Sequence, residues 1–391
     1  MLLQTSPPVV PASVGRTGHL VHLDMLRGLA ALAVVVGHIR GFLLVDFGAL
    51  QSPEMWHKLV YFLGGLGHQS VIAFFALSGF LVGGKVLKDM LAGSWSWGHY
   101  IVARLARLWT VVIPALVVTL VLDVAGRALS GGQGYDGGLY DILSSGPSSA
   151  SPVDHSFATF LANAAFLQTI TAPVYGSNGP LWSLANEFWY YVMAPLAAFA
   201  VLVPANIWLR VMSGVAAVGL AWLLPAELVI LGVIWLSGAA AHHLSARIGL
   251  AALFAHPAFA VVAILALGAT VVAGFRWNGM VYDLVLGLAW AAALPALAHL
   301  PDLDGLYARI ASGISEISYT LYATHFPLLA FIYFTVIAPQ QWQPGLHVFG
   351  LGLAMLAAAV VMATALWWCF ERNTPDVRAA ASAMLLARRG K

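Results

Sequence analysis

The sequence predicts an all-α protein, a polytopic transmembrane helical bundle of about ten helices with one further short re-entrant or surface helix. The chain of 391 residues is 61% hydrophobic and only 9% charged, and its mean hydropathy is +0.86. A soluble globular domain carries about 25% charged residues. A chain this poor in charge cannot cover a water-facing surface, so lipid is the expected solvent for most of it.

The ten predicted spans are apolar segments of ~20 residues, the length that crosses a bilayer, bounded by polar residues, glycine or proline. Each must be helical, because an unpaired peptide group in hydrocarbon costs several kcal/mol. They cover 21–44, 59–84, 100–125, 178–203, 206–224, 226–245, 250–274, 280–300, 312–337 and 346–370.

The remaining segments are predicted to be tails and loops around one transmembrane domain, 20–371. Residues 1–19 are expected to be a flexible cytoplasmic tail and 372–391 a second cytoplasmic tail. The long loop region 126–177 is expected outside the cytoplasm. Within it, 157–172 is apolar but too short to cross, so we interpret it as the re-entrant or surface helix.

The distribution of positive charge supports this topology. With both ends of the chain in the cytoplasm, the outer side holds few of the 18 Lys and Arg residues. Counting 157–172 as a full span would reverse every later loop and remove this positive-inside asymmetry. The outer cations are only Arg40, Lys58, Arg127 and Arg276.

Several classes of function are excluded by composition. A net charge of +2 is too small to indicate nucleic-acid binding. The single cysteine, Cys369, allows neither a disulfide framework nor a cysteine metal site. No HExxH or similarly spaced metal set is present, so we expect no metal. No Walker A or GxGxxG phosphate-binding loop is present either.

The first span contains ionisable residues that a lipid-facing helix would avoid. Arg27 and His38 are 11 residues apart, which is close to three full turns, so both project from one face about 16 Å apart. Asp24 lies one turn before Arg27 and can pair with it. The alternative is a snorkelling arginine with a histidine that only bridges helices.

Polar residues also mark the second and third spans. Ser78-Gly79 interrupts an apolar helix, which fits either a local break or an ordinary packing seam. Arg104 and Arg107 are one turn apart at the cytoplasmic end of the third span. Their guanidinium groups could bind phosphates bidentately, or could serve only as a positive-inside anchor.

Two later spans carry buried polar candidates. Glu187 falls about two turns into the fourth span among tryptophan and tyrosine residues, an arrangement suited to a sugar, although a structural ion pair would also explain it. Ser318, Tyr322 and His325 follow the i, i+4, i+7 spacing of one helical face. For His325 the alternative is an interior histidine whose hydrogen bonds are satisfied and which has no functional role.

The motifs together resemble the acyltransferase 3 family of bacterial membrane proteins, which modify surface polysaccharides, lipopolysaccharide O-antigen, Nod factors and some antibiotics. LDMLRGLAALAVVVGH resembles the opening Arg-x10-His motif, with Arg27 and His38 in its two positions. FFALSGFLVGG resembles the SGF motif, which includes Ser78, and RLARLW resembles the RxxR motif of Arg104 and Arg107.

Three later blocks extend the resemblance over nearly the whole chain. GPLWSLANEFWYY is similar to the WSL-x-x-E block, ISYTLYATHFPLL to the SYxLYLxHxP block, and FERNTP to the terminal E-R/K-P element. The matched residues are Trp182, Ser183, Glu187, Ser318, Tyr319, Tyr322, His325, Pro327 and Glu371.

The resemblance implies an O-acyltransferase in a bacterial inner membrane. Its co-substrate would be acetyl-CoA or another acyl-CoA, without a metal, and its partners a sugar or polysaccharide acceptor and membrane lipid. The implied catalytic residues are His38, Arg27 and Glu187, and the donor-binding residues are Arg104, Arg107, Arg27 and Ser78. The implied substrate-binding residues are Asp24, Trp182, Ser183, Asn186, Ser318, Tyr322 and His325.

One departure from the family pattern is the expected absence of an SGNH hydrolase-like domain after the last span. A stand-alone member would meet an exopolysaccharide, a lipid-linked oligosaccharide or a small glycosylated acceptor directly. A multi-span transporter of a polar or lipid-linked solute remains the alternative, because ionisable residues at the midplane and broken helices are also typical of transporters. A non-catalytic scaffold fits poorly with so many buried polar groups.

Overall fold

A computed structural model describes residues 20–136, 138–143, 153–301, 303–337 and 340–389. The tail predicted for 1–19 lies outside these residues. The first half of the chain forms helices α1 Val21–Leu43, α2 Met55–Leu63, α3 Gly67–Ser78, α4 Gly84–Leu91, α5 Trp97–Ser130, α6 Gly138–Leu143, α7 Phe157–Ala164 and α8 Trp182–Leu202. The second half forms α9 Ile207–Leu223, α10 Ala226–Ser245, α11 Ile248–Phe254, α12 Pro257–Ala273, α13 Met280–His299, α14 Leu306–Ile332, α15 Leu346–Cys369 and α16 Thr374–Arg389.

The predicted all-helical membrane architecture is confirmed, but the predicted count of about ten spans is not. Within the described residues, seven helical segments are long and apolar enough to cross a membrane. At the predicted spans 206–224 and 250–274, α9 and α12 have only 17 residues each. Helix α8 has 21 residues, but Asn186 and Glu187 lower its hydropathy. The seven segments are Val21–Leu43, Met55–Leu91, Trp97–Ser130, Ala226–Ser245, Met280–His299, Leu306–Ile337 and Leu346–Met384.

Helices α1 and α14 form the central pair of the bundle and run in the same direction. Gly28 lies against Ile314, and a Cβ atom at Gly28 would overlap that side chain, so glycine permits the close approach. We call the end of the bundle where α1 begins the near end and the opposite end the far end. At the near end His22 contacts Tyr307, with its Nδ1 2.9 Å from the hydroxyl oxygen.

A second close approach joins the end of α3 to α10. Residues Gly79–Gly83 form a π-helical segment between α3 and α4, a feature often found at functional sites. A Cβ atom at Gly79 would overlap the backbone carbonyl group of Trp235, and one at Gly238 would overlap that of Ala76. The SGF sequence is therefore a helix-packing seam as well as a local break in the α-helical pattern.

The segment 153–181 enters the bundle from the far end and returns to it. Asp123 on α5 accepts hydrogen bonds from both ends of this segment, from His155 near its start (2.9 Å) and from Ser177 near its end (2.6 Å). Between these two points the chain reaches Trp109, whose indole N–H donates to the Ala164 carbonyl oxygen at 2.9 Å. Asp123 and Trp109 are separated on α5 by about 21 Å of helix rise. The segment is therefore re-entrant, with α7 as its short helix.

Candidate active site

A cavity with a volume of about 590 Å³ lies between α1, α3, α5, α8 and α14. This is the size of a small-molecule site. Its wall includes four carboxylates, from Asp24, Glu187, Glu316 and Glu371, and a larger number of arginines. These arginines are Arg27, Arg104, Arg107, Arg372 and Arg378.

Helix α1 contributes Asp24 and Arg27, which form the predicted ion pair at 3.4 Å. Ser315 on α14 joins the pair, since its hydroxyl donates to Asp24 at 3.0 Å and accepts from Arg27 at 3.3 Å. The arrangement holds the Arg27 guanidinium in the cavity wall against α14. Both contacts use Nη1, one of the three nitrogens that together carry its five N–H donors.

Helix α5 contributes Arg104 and Arg107, which have different surroundings. Arg107 forms an ion pair with the buried carboxylate of Glu371, with Nη1 2.6 Å from Oε1. Arg104 forms no ion pair within the described part of the chain, and its buried Nε has no hydrogen-bond partner there. Its guanidinium carbon lies 5.6 Å from the Tyr191 ring centre. Arg104 thus retains unused hydrogen-bonding capacity in the cavity wall.

Glu187 lies in this same arginine-lined cavity. Its Oε1 accepts hydrogen bonds from the Ser78 hydroxyl at 2.8 Å and the Tyr191 hydroxyl at 2.5 Å. Ser78 is also reached by the Trp235 indole N–H at 3.1 Å. The predicted aromatic surroundings of Glu187 are present.

His38 and His325 form a direct pair between α1 and α14. The His38 Nδ1 lies 3.0 Å from the His325 Nε2. The His325 Nδ1 lies 2.8 Å from the Tyr322 carbonyl oxygen and 3.0 Å from that of Leu321. Carbonyl oxygens only accept, so the His325 Nδ1 carries the proton and its Nε2 accepts from His38.

This assignment fixes the chemistry of His38. Its Nδ1 carries a proton that is donated to His325, and its Nε2 therefore keeps a free lone pair in the neutral ring. If the Nε2 is protonated, the Nδ1–H bond to His325 persists and stabilises the imidazolium, as an orienting partner does for a general base. His325 is fully buried, with 0% exposure, whereas His38 is partly exposed.

Nine of the predicted site residues line the cavity and four do not. Tyr322 connects the two, because it lines the cavity and its ring centre lies 6.1 Å from that of His325. Its hydroxyl is held 2.6 Å from the Ser183 hydroxyl. The predicted residues that line the cavity are Asp24, Arg27, Ser78, Arg104, Arg107, Ser183, Glu187, Ser318 and Tyr322. Those outside its wall are His38, Trp182, Asn186 and His325.

Two arginines of the cavity, Arg372 and Arg378, were not among the predicted site residues, because the sequence predicted a cytoplasmic tail there. Cations just beyond a last span are the usual positive-inside pattern, so their number alone carries no functional signal. A stronger signal was the i, i+4 spacing of Thr374 and Arg378, which both line the cavity from one face of α16.

The expectation of no metal remains a prediction. Within the ranges that the structure describes, no group of three or more His, Cys, Asp and Glu side chains is placed to hold an ion.

Comparison with known proteins assigns most of the chain to one family. A family model described as an acyltransferase domain matches residues 20–368. No curated protein and no solved structure matches the chain.

Proposed function

Since the chain belongs to the acyltransferase 3 family, whose domain spans nearly all of it, we propose that it is a membrane-bound O-acyltransferase. It moves an acyl group, acetyl in the simplest case, from acyl-CoA to a hydroxyl group of a sugar acceptor. The acceptor is an exopolysaccharide, an O-antigen or a lipid-linked oligosaccharide. The observation that carries the proposal is the cavity itself. It contains Arg104, which has no ion-pair partner among the described residues, and its wall at Tyr322 contacts the pair of His38 and His325.

The protein lies in a bacterial inner membrane with the near end of the bundle, and both termini, in the cytoplasm. The supporting observation is that the cavity arginines belong to the near-end segments that the positive-inside pattern assigns to the cytoplasm. Acyl-CoA is made and kept in the cytoplasm, so its site must be reached from that side.

The donor binds in the arginine cavity. Arg104 offers a guanidinium group without a carboxylate partner among the described residues, and Arg27 offers the N–H groups that Asp24 and Ser315 leave unused. Guanidinium groups bind phosphate oxygens bidentately. Ser78 and the aromatic rings near it line the path that the pantetheine arm would take toward Tyr322.

His38 acts as the general base. Its Nε2 takes the proton of the acceptor hydroxyl as that oxygen attacks the thioester carbon. The carbon–oxygen bond forms, the carbon–sulfur bond breaks, and the CoA thiolate leaves and takes up the proton that His38 then releases. His325 holds the proton on the His38 Nδ1 throughout, so it positions the base and does not itself contact the acceptor.

Access to His38 requires a movement of the cavity wall. Tyr322 stands between the cavity and His325, and its ring packs edge-on against Phe74 with ring centres 5.9 Å apart. A thioester in the cavity reaches His38 only when this wall rearranges. Glu187 then lies on the cavity side, where its carboxylate can hold an acceptor hydroxyl or balance the charge of Arg27.

The first experiment supplies radiolabelled acetyl-CoA to membranes that contain the protein and measures label transferred to glycan. His38→Ala should abolish transfer in a protein that still folds, whereas His347→Ala, at an exposed histidine, should leave it unchanged. Transfer at the wild-type rate by His38→Ala would eliminate the assigned base. A transporter would consume no acetyl-CoA at all.

A second experiment separates direct transfer from an acyl-histidine intermediate. Purified protein is mixed with radiolabelled acetyl-CoA in the absence of acceptor and quenched. Direct transfer leaves the protein unlabelled, while a covalent route labels it at His38. Mass analysis of surface glycans from a strain lacking the protein then identifies the acceptor by the ester that is lost.

A further inference from the structure

The segment that follows the last predicted span, residues 371–378, is built into the cavity. Glu371 is only 3% exposed. It forms the ion pair with Arg107 and accepts from the Thr320 hydroxyl at 2.5 Å. The hydroxyl groups of Thr374 and Thr110 are 2.9 Å apart. These contacts to α5 and α14 fix the chain direction after α15, so α16 begins against the cavity wall.

Two arginines of this segment, Arg372 and Arg378, line the cavity. Neither forms an ion pair with a carboxylate in the part of the chain that the structure describes. Arg372 lies with its guanidinium carbon 3.6 Å from the centre of the Trp368 ring, a cation–π contact that orients the group without neutralising it. Both side chains are exposed, so they bring positive charge that no described carboxylate pairs with to the open edge of the cavity.

The charges on the other helices that line the cavity show what Arg372 and Arg378 add to the site. Asp24 pairs with Arg27 and Glu371 pairs with Arg107, so these two cations are partly neutralised before a ligand arrives. Arg104 is then the one cation of the earlier helices that lines the cavity with no carboxylate partner among the described residues. A ligand with several phosphate groups needs more than one such partner, since each phosphate is best held by its own guanidinium fork.

We propose that Arg372 and Arg378 complete the donor site by binding phosphate groups of the acyl donor together with Arg104. The inference rests on the proposed acyl-CoA donor. It assigns a binding role to Arg372, within the FERNTP element, and to Arg378, both of which follow residue 368, where the family match ends. Glu371 has a separate role: its ion pair and hydrogen bond hold the segment in place. The donor class is an acyl thioester whose carrier ends in phosphate groups.

The same arginines could instead bind phosphate groups of membrane lipids at the near end. The two sources share one chemistry, so the test must separate them. Lipid binding depends on anionic lipid around the protein and is insensitive to the structure of the donor. Donor binding depends on the phosphates of the donor and is insensitive to the lipid.

The experiment compares two donors, acetyl-CoA and acetyl-pantetheine, which lacks the phosphate groups. The variants are Arg372→Ala and Arg378→Ala of the full chain, with Arg309→Ala as the control because Arg309 is exposed at the near end and does not line the cavity. KM and kcat are measured in nanodiscs of zwitterionic lipid and again with anionic lipid.

Loss of one charged hydrogen-bonding partner should raise KM for acetyl-CoA about tenfold or more, with kcat nearly unchanged. KM for acetyl-pantetheine should stay the same, Arg309→Ala should resemble the wild type, and both results should hold in either lipid. Equal changes for the two donors would overturn the inference, as would an effect confined to anionic nanodiscs or no effect at all.

Failure of the proposed function has a different signature. Equilibrium binding of CoA to the purified protein is measured in parallel, without any acceptor. If the wild type transfers no acyl group but binds CoA, and Arg378→Ala weakens that binding about tenfold or more, the transferase proposal falls while the phosphate site stands. If the wild type transfers acetyl and neither variant changes the KM for acetyl-CoA, the phosphate site falls alone.

Discussion

Replacement of His325 by leucine tests whether this buried histidine sets the protonation of His38. Leucine fills much of the same volume but cannot accept the hydrogen bond that spans 3.0 Å from the His38 Nδ1. The His38 ring would then be free to adopt the wrong tautomer or orientation. Its imidazolium form, which arises in the transition state, would lose a hydrogen-bond acceptor.

The expected size of the effect follows from that single bond. A hydrogen bond to a charged group contributes about 1.5–3 kcal/mol. Because about 1.36 kcal/mol corresponds to a tenfold change in rate, His325→Leu should lower kcat roughly 10- to 150-fold. His325 is not part of the cavity wall, so KM for the acyl donor should change little.

The assay is steady-state acyl transfer by the purified protein, with circular dichroism and thermal unfolding to verify folding. His325→Gln is the matched variant, because its amide oxygen can accept from His38 and should restore part of the lost rate. A wild-type kcat in a well-folded His325→Leu protein would show that His325 does not set the protonation of His38. A rise in KM without a fall in kcat would show that His325 acts on substrate binding instead.

Two further predictions concern stability. Gly79→Ala should lower the thermal unfolding midpoint, because the new Cβ atom would overlap the backbone of Trp235 and overpacking costs about 1–3 kcal/mol. The control is Gly268→Ala, at a helical site with open space, which should leave the midpoint unchanged or raise it. Equal losses at both sites would contradict the packing argument. Asp154 lies outside the seven candidate spans, and the pKa of its carboxyl is lowered mainly by the hydrogen bond from the Thr159 hydroxyl. Its contribution to the free energy of unfolding is present above its unfolded pKa of about 3.9. That contribution is lost as the pH falls through the lower folded value. The unfolding midpoint should therefore fall less steeply with acidification in Asp154→Asn than in the wild type, and identical slopes would refute the assignment.

The part of the site that could be predicted from sequence is the part set by a single helix. The spacing of Arg27 and His38 placed both on one face of α1, and both contact α14, through Ser315 and His325 respectively. Helix geometry alone fixes such a relation. The short apolar segment 157–172 was likewise predicted not to cross, because its length rules out a span.

What could not be predicted depends on which helices meet. The bond between His38 and His325 joins residues 287 positions apart, and no periodicity within one segment indicates it. The number of spans could not be predicted for a related reason: α9 and α12 are shorter than a full crossing, so their depth depends on their neighbours in the bundle.

The carboxylates of the cavity explain why positive charge accumulates there without destabilising the fold. Two of them make structural contacts: Asp24 holds Arg27 and Ser315, and Glu371 joins Arg107 to Thr320. A buried carboxylate without such partners would be costly. The arginines that remain, Arg104 among them, retain charge that no described carboxylate balances. The proposed polyanionic donor would balance that charge, and we therefore expect its binding to raise the thermal unfolding midpoint of the protein.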